Sequence, residues 1–135
     1  FRESYRIVGE TIITIDDYTS GRVFDDAVCY AFYPVDLHTK EGVKPEPLKK
    51  GTVPTIPFSA IVPKGSNNIL VAGRCVSSDR LANSGLRVQA PCMAMGQVAG
   101  VAAALSVRKK TTPQNVPLKE IKETLAENGA IVPNF

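Results

Sequence analysis

The sequence predicts an α+β fold fragment, with strands through most of residues 1–75 and two helices after them. Short apolar runs rich in β-branched residues fill the first part of the chain, and they are broken often by glycine and proline, of which there are ten each. Residues 88–107 then contain no charged side chain. Because a run of that length exceeds a typical strand, it indicates a helix.

The first element is an isoleucine-rich segment over residues 5–15, which predicts a strand or a strand pair broken at Gly9. Near its end, Thr14 stands three residues ahead of Asp17. This is the spacing of a capping box, in which a hydroxyl and a carboxylate each accept a backbone N–H at a helix start. The predicted helix is short, because Gly21 follows.

Two extended segments and a polar excursion are predicted next. The apolar run over residues 27–33 has the length of a strand and is stopped by Pro34. Residues 39–52 are polar and rich in lysine, glycine and proline, which is typical of a surface loop. Residues 53–58 are expected to be extended, because each proline there restricts the residue before it.

A buried strand is predicted over residues 69–72, after a turn at residues 63–68. The four residues Ile-Leu-Val-Ala show no polar alternation, as in strands of a parallel sheet that are covered on both faces. Gly73 ends this strand, and residues 74–87 are expected to form a polar loop.

The charge-free run predicts a buried helix over about residues 90–107. Its alanines and glycines suit close packing, Pro91 suits the first turn, and the cations at residues 108–110 suit the last. The alternative is a membrane span, since about 20 apolar residues cross a bilayer and Gly96 and Gly100 have the spacing of a helix-dimer seam. The modest hydrophobicity of small residues favours the soluble helix.

A second helix is predicted over about residues 117–128. Leu118, Ile121 and Leu125 fall on one face, and Gly129 follows as a terminator. We expect a surface helix whose apolar face covers the core.

Composition and charge exclude several classes of protein. The net charge of +3, from 16 basic and 13 acidic residues, argues against a nucleic-acid binder. Three cysteines without a CxxC pair and a single histidine, His38, supply neither the four ligands of a zinc site nor a disulfide framework, so no metal is expected. The absence of tryptophan argues against an aromatic sugar-binding platform.

A ligand site is predicted where the buried strand leads through the loop into the small-residue helix. Loops at the carboxyl ends of strands in α/β sheets bind cofactors, and a helix start adds N–H donors with a partial positive charge. Arg74, Arg80 and Arg87 accompany this loop. The cluster suits a pyrophosphate, a carboxylate or an electron-rich ring, whereas the alternative is that its side chains are simply solvated. The neutral donors beside the arginines are Ser77, Ser78, Asn83 and Gln89.

Residues 69–77, ILVAGRCVS, and residues 86–105, LRVQAPCMAMGQVAGVAAAL, resemble the C-terminal signature of the FAD-dependent oxidoreductase family. The resemblance covers nearly the whole chain. The other segments that resemble the family, in the same order, are residues 2–9, 25–26, 33–38 and 56–61.

The resemblance implies a flavoprotein with a glutathione-reductase-like fold, of which this chain is the C-terminal portion. It places residues 1–62 in the substrate-domain region, and residues 63–135 in the FAD-binding strand–loop–helix segment and its covering helix. The implied cofactor is FAD. The implied partners are a small organic substrate and the rest of the parent chain, which carries the G-x-G-x-x-G motif not found here. The question whether the protein forms a homo-oligomer stays open, and neither nucleic acid nor a membrane is expected as a partner.

The resemblance also assigns residues to the cofactor. Gly73 lets the backbone approach it, and residues 87–92 face the flavin ring, where helix N–H groups stabilise negative charge on the reduced flavin. Gly96 and Gly100 permit close packing against the dinucleotide-binding half. The predicted cofactor-binding residues are Gly73, Arg74, Ser77, Arg87, Gln89, Pro91, Cys92 and Gly96.

Catalytic roles are predicted for His38 and Arg74. A histidine exchanges protons near neutral pH, and Asp36 lies on the same side of the chain as His38 if the segment is extended. Arg74 serves either the cofactor or an anionic substrate. For His38 the alternative is an ordinary histidine at the end of a strand, solvated or held by a hydrogen bond.

The cysteines are expected to be structural. Cys92 lies at a helix start, which predicts a lowered thiol pKa, yet packing is favoured over a redox role because no second cysteine is near in sequence. Cys29 and Cys75 lie in or beside apolar runs and are expected to be buried and inert.

Two functions stay open. In the first, the chain is part of an FAD-dependent oxidoreductase in which the flavin accepts a hydride from an organic substrate, and the chain alone is inactive. In the second, it is a self-standing structural or protein-interaction module. The two differ at the small-residue helix, because part of an enzyme should expose an apolar helix face there.

Overall fold

The computed structural model describes residues 5–43 and 45–134, which form an α+β fold as predicted, but the described strands cover eleven residues and not most of residues 1–75. Residues 1–4, Lys44 and Phe135, on which parts of the predictions fall, lie outside the described residues. The helices described are α1 (Ile15–Ser20), α2 (Arg80–Leu86), α3 (Gln89–Lys109) and α4 (Leu118–Glu127). The strands described are β1 (Ala27–Tyr30), β2 (His38–Thr39), β3 (Gly42–Val43) and β4 (Thr55–Pro57), and 3-10 turns lie at Phe58–Ala60 and Pro113–Asn115.

The strands form two small antiparallel sheets, β1 with β4 and β2 with β3. In the first sheet Cys29 pairs with Ile56 and Tyr30 with Thr55, with a bulge before Cys29. β1 packs against α3, and α3 packs against α4. The core therefore includes the layer between the first sheet and these two helices, and it extends to α1 and α2 through Tyr18 and Leu86. Its largest fully buried apolar side chains are Tyr18, Ile13, Ile56, Ile61, Leu86, Met95, Ile121 and Leu125.

The capping box predicts α1 correctly. The Thr14 hydroxyl accepts the Asp17 N–H at 3.2 Å, and the Asp17 carboxylate accepts the Thr14 N–H at 3.0 Å. Gly21 ends the helix in the left-handed region at φ +70°, a conformation that costs glycine little.

The predicted strand over residues 5–15 is wrong as a regular element. The segment is extended, but among the described residues it makes only isolated bridges, Gly9 with Pro63 and Ile13 with Ser78. The segments beside it are turns and loops, which offer single hydrogen bonds rather than a continuous ladder. Gly9 is nevertheless tightly placed, because a Cβ there would lie 2.8 Å from the Ser77 Cβ.

Strand β1 ends at Tyr30, three residues before the predicted end. Beyond it the backbone of Tyr33 bonds to a side chain instead of a strand. The Tyr18 hydroxyl donates to the Tyr33 carbonyl at 2.8 Å and accepts the Tyr33 N–H at 3.3 Å. Burial raises the pKa of Tyr18 to about 12, which keeps this donor protonated.

The predicted buried strand over residues 69–72 is wrong. No residue of this run belongs to a described strand, and the Ile69 side chain is 56% exposed. One ladder-like hydrogen bond remains, from the Val71 N–H to the Ile61 carbonyl at 2.8 Å. An apolar run becomes a strand only where neighbouring backbone can pair with it, and the described chain supplies one such contact.

The predicted polar loop over residues 74–87 contains a helix, α2. Asp79 is its N-cap, and its carboxylate accepts the Ala82 N–H at 2.8 Å. The helix residues from Ala82 to Leu86 are buried, including Asn83 and Ser84. Asp79 is a favoured N-cap type, and this was the signal in the sequence that the loop prediction passed over.

Helix α3 extends the prediction by one residue at its start and two at its end, but it is buried along one stripe only. Pro91, Met95, Val98, Ala102 and Ser106 face the core. A second stripe, which we call the small-residue face, is exposed, with Met93 at 73% and Val107 at 78% exposure. Among the described residues α3 is the one helix long and apolar enough to cross a membrane, a test that core helices also pass. The small-residue face consists of Met93, Gly96, Gly100, Ala103 and Val107.

Helix α4 lies one residue inside each predicted end and covers the core as predicted. Ile121 and Leu125 are fully buried. Gly129 follows at φ +79°, and the Ala130 N–H donates to the Leu125 carbonyl at 3.0 Å, as at a glycine-terminated helix end. The buried Lys122 ammonium donates to the Pro133 carbonyl at 3.1 Å.

The contact between α1 and α2 makes Gly85 sensitive to substitution. A Cβ at Gly85 would overlap the ring of Tyr18. Gly85→Ala should therefore lower the free energy of unfolding by about 1–3 kcal/mol, although alanine is the better helix former. Chemical denaturation measures this.

The matched control is Gly96→Ala in α3, where nothing within the described chain lies within 4 Å of the new carbon. This substitution should raise the free energy of unfolding by about 0.5–1 kcal/mol. Equal stability of Gly85→Ala and wild type would contradict the packing described here.

The capping box of α1 predicts a loss of stability in acid. Partial burial raises the pKa of Asp17, but hydrogen bonds from Arg22 and Thr14 outweigh it and hold the pKa below its ordinary value of 3.8. A depressed pKa contributes stability above the ordinary value, and this contribution disappears as pH falls through the folded-state pKa. The difference in unfolding free energy between wild type and Asp17→Asn should therefore shrink as the pH falls from the ordinary pKa of Asp17 to its folded-state pKa. A difference that stays constant with pH would contradict this prediction. Asp16→Asn, which removes an exposed carboxylate outside the capping box, is the control.

Candidate functional site

The site lies where α2 ends and α3 begins, joined by Arg87 and Val88. The chain before β2 runs alongside this junction. The Arg87 Nη2 donates to the Asp36 carbonyl at 3.1 Å, and the Asp36 N–H donates to the Ser84 hydroxyl at 3.1 Å. Two segments about 50 residues apart in sequence are thus held side by side.

Asp36 connects His38 with Arg87. Its Oδ2 lies 3.2 Å from the His38 Nε2 and 3.7 Å from the Arg87 Nη2. The Asp36 and Arg87 side chains are only 15% and 11% exposed, so little water screens this pair. The contact between Asp36 and His38 agrees with the expectation that they lie on the same side of the chain.

Two pockets meet at Arg87. The first, which we call the His38 pocket, has a volume of about 190 Å³. The second, the helix-start pocket, has a volume of about 540 Å³. The His38 pocket is lined by Asp36, Leu37, His38, Arg80, Asn83, Ser84 and Arg87. The helix-start pocket is lined by Tyr33, Arg74, Arg87, Val88, Gln89 and Ala90.

An apolar cavity of about 340 Å³ adjoins the helix-start pocket. Tyr33, Val88 and Ala90 line both spaces. The apolar cavity lies between β1, α3 and the end of α4, and its walls include Val28, Pro91 and Leu125. A ligand at the start of α3 would therefore meet cationic groups on one side and an apolar wall on the other.

The helix-start pocket carries donors for an anion or an electron-rich ring. The N-cap of α3 is Val88, whose side chain offers no acceptor to the first N–H groups of the helix. Those groups lie beside the guanidinium groups of Arg74 and Arg87 and the amide of Gln89. This donor set fits the electron-rich pyrimidine edge of a flavin, where negative charge accumulates on reduction.

The structure brings together most, but not all, of the predicted cofactor-binding residues. Arg74, Arg87 and Gln89 share the helix-start pocket, and Pro91 lines the adjoining apolar cavity. Gly73 directly precedes Arg74 at φ +97°, and nothing within the described chain lies within 4 Å of the position of a Cβ. Its backbone is therefore open to close approach.

Ser77 and Gly96 lie apart from this group. Ser77 is fully buried, and its hydroxyl accepts the Gly9 N–H at 2.9 Å, so the side chain serves the core. Gly96 lies further along α3 on the small-residue face. The two predicted catalytic residues line different pockets, and Arg87 lies in the wall common to both.

The expected low pKa of Cys92 is wrong. Burial raises its thiol pKa and outweighs the opposing effect of Arg74, while Cys75 raises it further. Cys29 is buried as expected, and burial raises its pKa to about 12. Cys75 is half-buried rather than buried. Within the described residues no group of three or more His, Cys, Asp or Glu is placed to hold a metal ion.

Two residues behind the site support it in a way that the sequence did not predict. The buried Asn83 donates its side-chain N–H to the Arg74 carbonyl at 3.1 Å. Ser84 accepts the Asp36 N–H and donates to the Leu81 carbonyl at 2.6 Å. Asn83 is predicted above as a neutral donor in a loop, and no role is predicted for Ser84. The N-cap at Asp79 is the sequence signal that places both on a helix.

Comparison with known proteins agrees with the donor set. Residues 1–125 match the family described as FAD dependent oxidoreductase. No curated protein and no solved structure matches the chain. The matched residues include all of those that line the His38 pocket and the helix-start pocket, and the family name implies FAD as the cofactor. With 125 of its 135 residues matched, the chain belongs to the FAD-dependent oxidoreductase family.

Proposed function

We propose that the chain supplies the flavin-contacting junction and one wall of the substrate cavity of an FAD-dependent oxidoreductase with a glutathione-reductase-like fold. In this proposal it is the C-terminal portion of the enzyme, with residues 1–62 in the substrate region and residues 63–135 in the FAD-binding region. The observation that carries the proposal is the junction of α2 and α3, where Arg87 lines two pockets at once. When bound, FAD supplies two-electron chemistry on an organic substrate.

The helix-start pocket is proposed to hold the flavin. Arg74, Arg87 and Gln89 provide positive charge and N–H donors, and the start of α3 adds its partial positive charge. These groups are fixed before a ligand arrives, because Asp36 and Asn83 hold the arginine region through hydrogen bonds. Prearranged donors of this kind stabilise charge without the reorganisation that water requires. The backbone of Gly73 is proposed to approach the flavin closely, and Pro91 and Cys92 continue the contact along the first turns of α3.

His38 is proposed to exchange a proton with the substrate. Asp36 contacts the ring through Nε2 at 3.2 Å, which fixes the orientation of the imidazole in the His38 pocket. Asp36 is thereby a positioning residue for both His38 and Arg87. A role of Arg74 toward an anionic substrate is compatible with its exposed position at the mouth of the helix-start pocket.

The small-residue face of α3 is proposed to dock against the dinucleotide-binding half of the enzyme. Its residues repeat at intervals of three and four, so they form a continuous stripe, and it is exposed and apolar. Gly96 and Gly100 have nothing from the described chain within 4 Å of a Cβ position, so another backbone can approach closely there. A self-standing interaction module would use the same face for a different partner, but membership of an oxidoreductase family favours the enzyme.

Flavin content tests the proposal directly. The full-length protein, purified without added cofactor, should show a flavin absorption spectrum. Arg74→Gln should weaken FAD binding by roughly tenfold to a hundredfold, since it removes charge-assisted hydrogen bonds worth about 1.5–3 kcal/mol. Arg108→Gln, at the far end of α3, should bind FAD like wild type. A colourless, well-folded protein that also refuses added FAD would exclude the proposal.

Docking at the small-residue face is tested by Gly96→Leu. The new side chain has open space within the described chain, so the midpoint temperature of thermal unfolding of this chain should not fall. Retention of FAD by the full-length protein should fall, because the bulky side chain separates the two backbones. Arg108→Leu, which introduces the same side chain at the end of the same helix and off the small-residue face, is the control and should retain FAD. Full retention by Gly96→Leu would place the docking surface elsewhere.

A further inference from the structure

We propose that the His38 pocket is a carboxylate-binding subsite, so that the substrate is an organic molecule with a carboxylate at one end. The term substrate rests on the function proposed above, but the binding of a carboxylate does not. The inference is drawn from the lining of the pocket, its charge, its size and its position beside the helix-start pocket.

The pocket gathers groups that bind anions. His38, Arg80 and Arg87 line it together with the neutral donors Asn83 and Ser84. Asp36 is the single acid in the lining. Two guanidinium groups and one carboxylate in the lining favour an anion over a cation.

Arg87 has the geometry of a carboxylate receptor. Within the described residues its contacts run through Nη2, to the carbonyl oxygen and the carboxylate of Asp36. The N–H groups of Nε and Nη1 therefore keep their capacity for a ligand. A guanidinium presents its donors in one plane and binds a carboxylate with two parallel hydrogen bonds. Because Asp36 holds one side of this plane, little side-chain freedom is lost when a ligand binds.

The carboxylate of Asp36 would repel an anion, and its surroundings limit that effect. Its Oδ2 already faces the Arg87 Nη2 and the His38 Nε2, so its charge is shared with a cation and a hydrogen-bond partner. Arg80 lies on the opposite chain segment, at the start of α2, and adds a second cation to the pocket wall. The attractive groups therefore outnumber the repulsive one.

The size of the pocket fits one end of a molecule. Pockets for drug-sized ligands usually measure about 300–1,000 Å³, and this one measures about 190 Å³. Arg87 also lines the helix-start pocket, where the flavin is proposed to bind. A carboxylate anchored beside Arg87 would direct the rest of its molecule toward that second pocket.

The test compares a carboxylate with its neutral isostere. Benzoate and benzamide are titrated into the full-length protein, with and without FAD, and followed by NMR. Benzoate should shift the signals of residues 36–38 and 80–87, and benzamide should bind at least about tenfold more weakly, because it lacks the charge. Equal affinity of the two compounds, or shifts confined to other regions, would overturn the proposal. Tighter binding of inorganic phosphate than of benzoate would also overturn it.

Two variants separate this subsite from the flavin site. Arg80→Gln should lower benzoate affinity by about tenfold or more and leave FAD affinity unchanged, since Arg80 lines the His38 pocket and not the helix-start pocket. Arg108→Gln, which lies at the far end of α3 and lines neither pocket, should change neither affinity. An unchanged benzoate affinity in a folded Arg80→Gln protein would contradict the proposed subsite. If that variant does not fold, the ratio of benzoate to benzamide affinity in wild type still decides. Benzoate bound in this pocket of a protein that refuses FAD would reject the proposed function and keep the subsite.

Discussion

The carboxylate of Asp79 ties the first two helices together, and the position of the site depends on it. Its Oδ1 accepts the Ala82 N–H at 2.8 Å and caps α2, while its Oδ2 accepts the Ile15 N–H at 2.6 Å at the start of α1. Its own N–H donates to the Ile13 carbonyl at 2.9 Å. One residue thus joins two helix starts that lie 65 positions apart in sequence. Charge-assisted hydrogen bonds of this kind are among the stronger ones in proteins.

The arrangement set by Asp79 reaches the pockets through α2. The ring of Tyr18 lies against Gly85, which leaves no room for a side chain there. With the helix held in this way, Ser84 meets Asp36, and Arg87 at the end of the helix reaches the same residue. The polar groups behind the site are therefore paired inside the fold. A site supported by satisfied hydrogen bonds is preorganised, which favours binding because less order has to be imposed by the ligand.

The pockets around Arg87 and the small-residue face of α3 differ in how far their groups already have partners within the described chain. The pockets around Arg87 are built from groups that already have partners, and they offer their remaining donors to a ligand. The small-residue face of α3 is apolar and exposed on a helix whose opposite stripe fills the core. In the function proposed above both surfaces share a purpose, since a flavin at the start of α3 would lie between this chain and the rest of an enzyme.

Local patterns in the sequence determined the elements whose causes are local. The capping box of α1, the charge-free run of α3 and the apolar spacing of α4 depend on residues within a few positions of each other, and all three helices were predicted. The tertiary structure alone decided that residues 69–72 do not form a strand and that burial raises rather than lowers the pKa of Cys92. It also decided that Arg87 lies beside Asp36 and His38. Each of these depends on backbone, charge or desolvation supplied by residues far away in sequence, which no local pattern encodes.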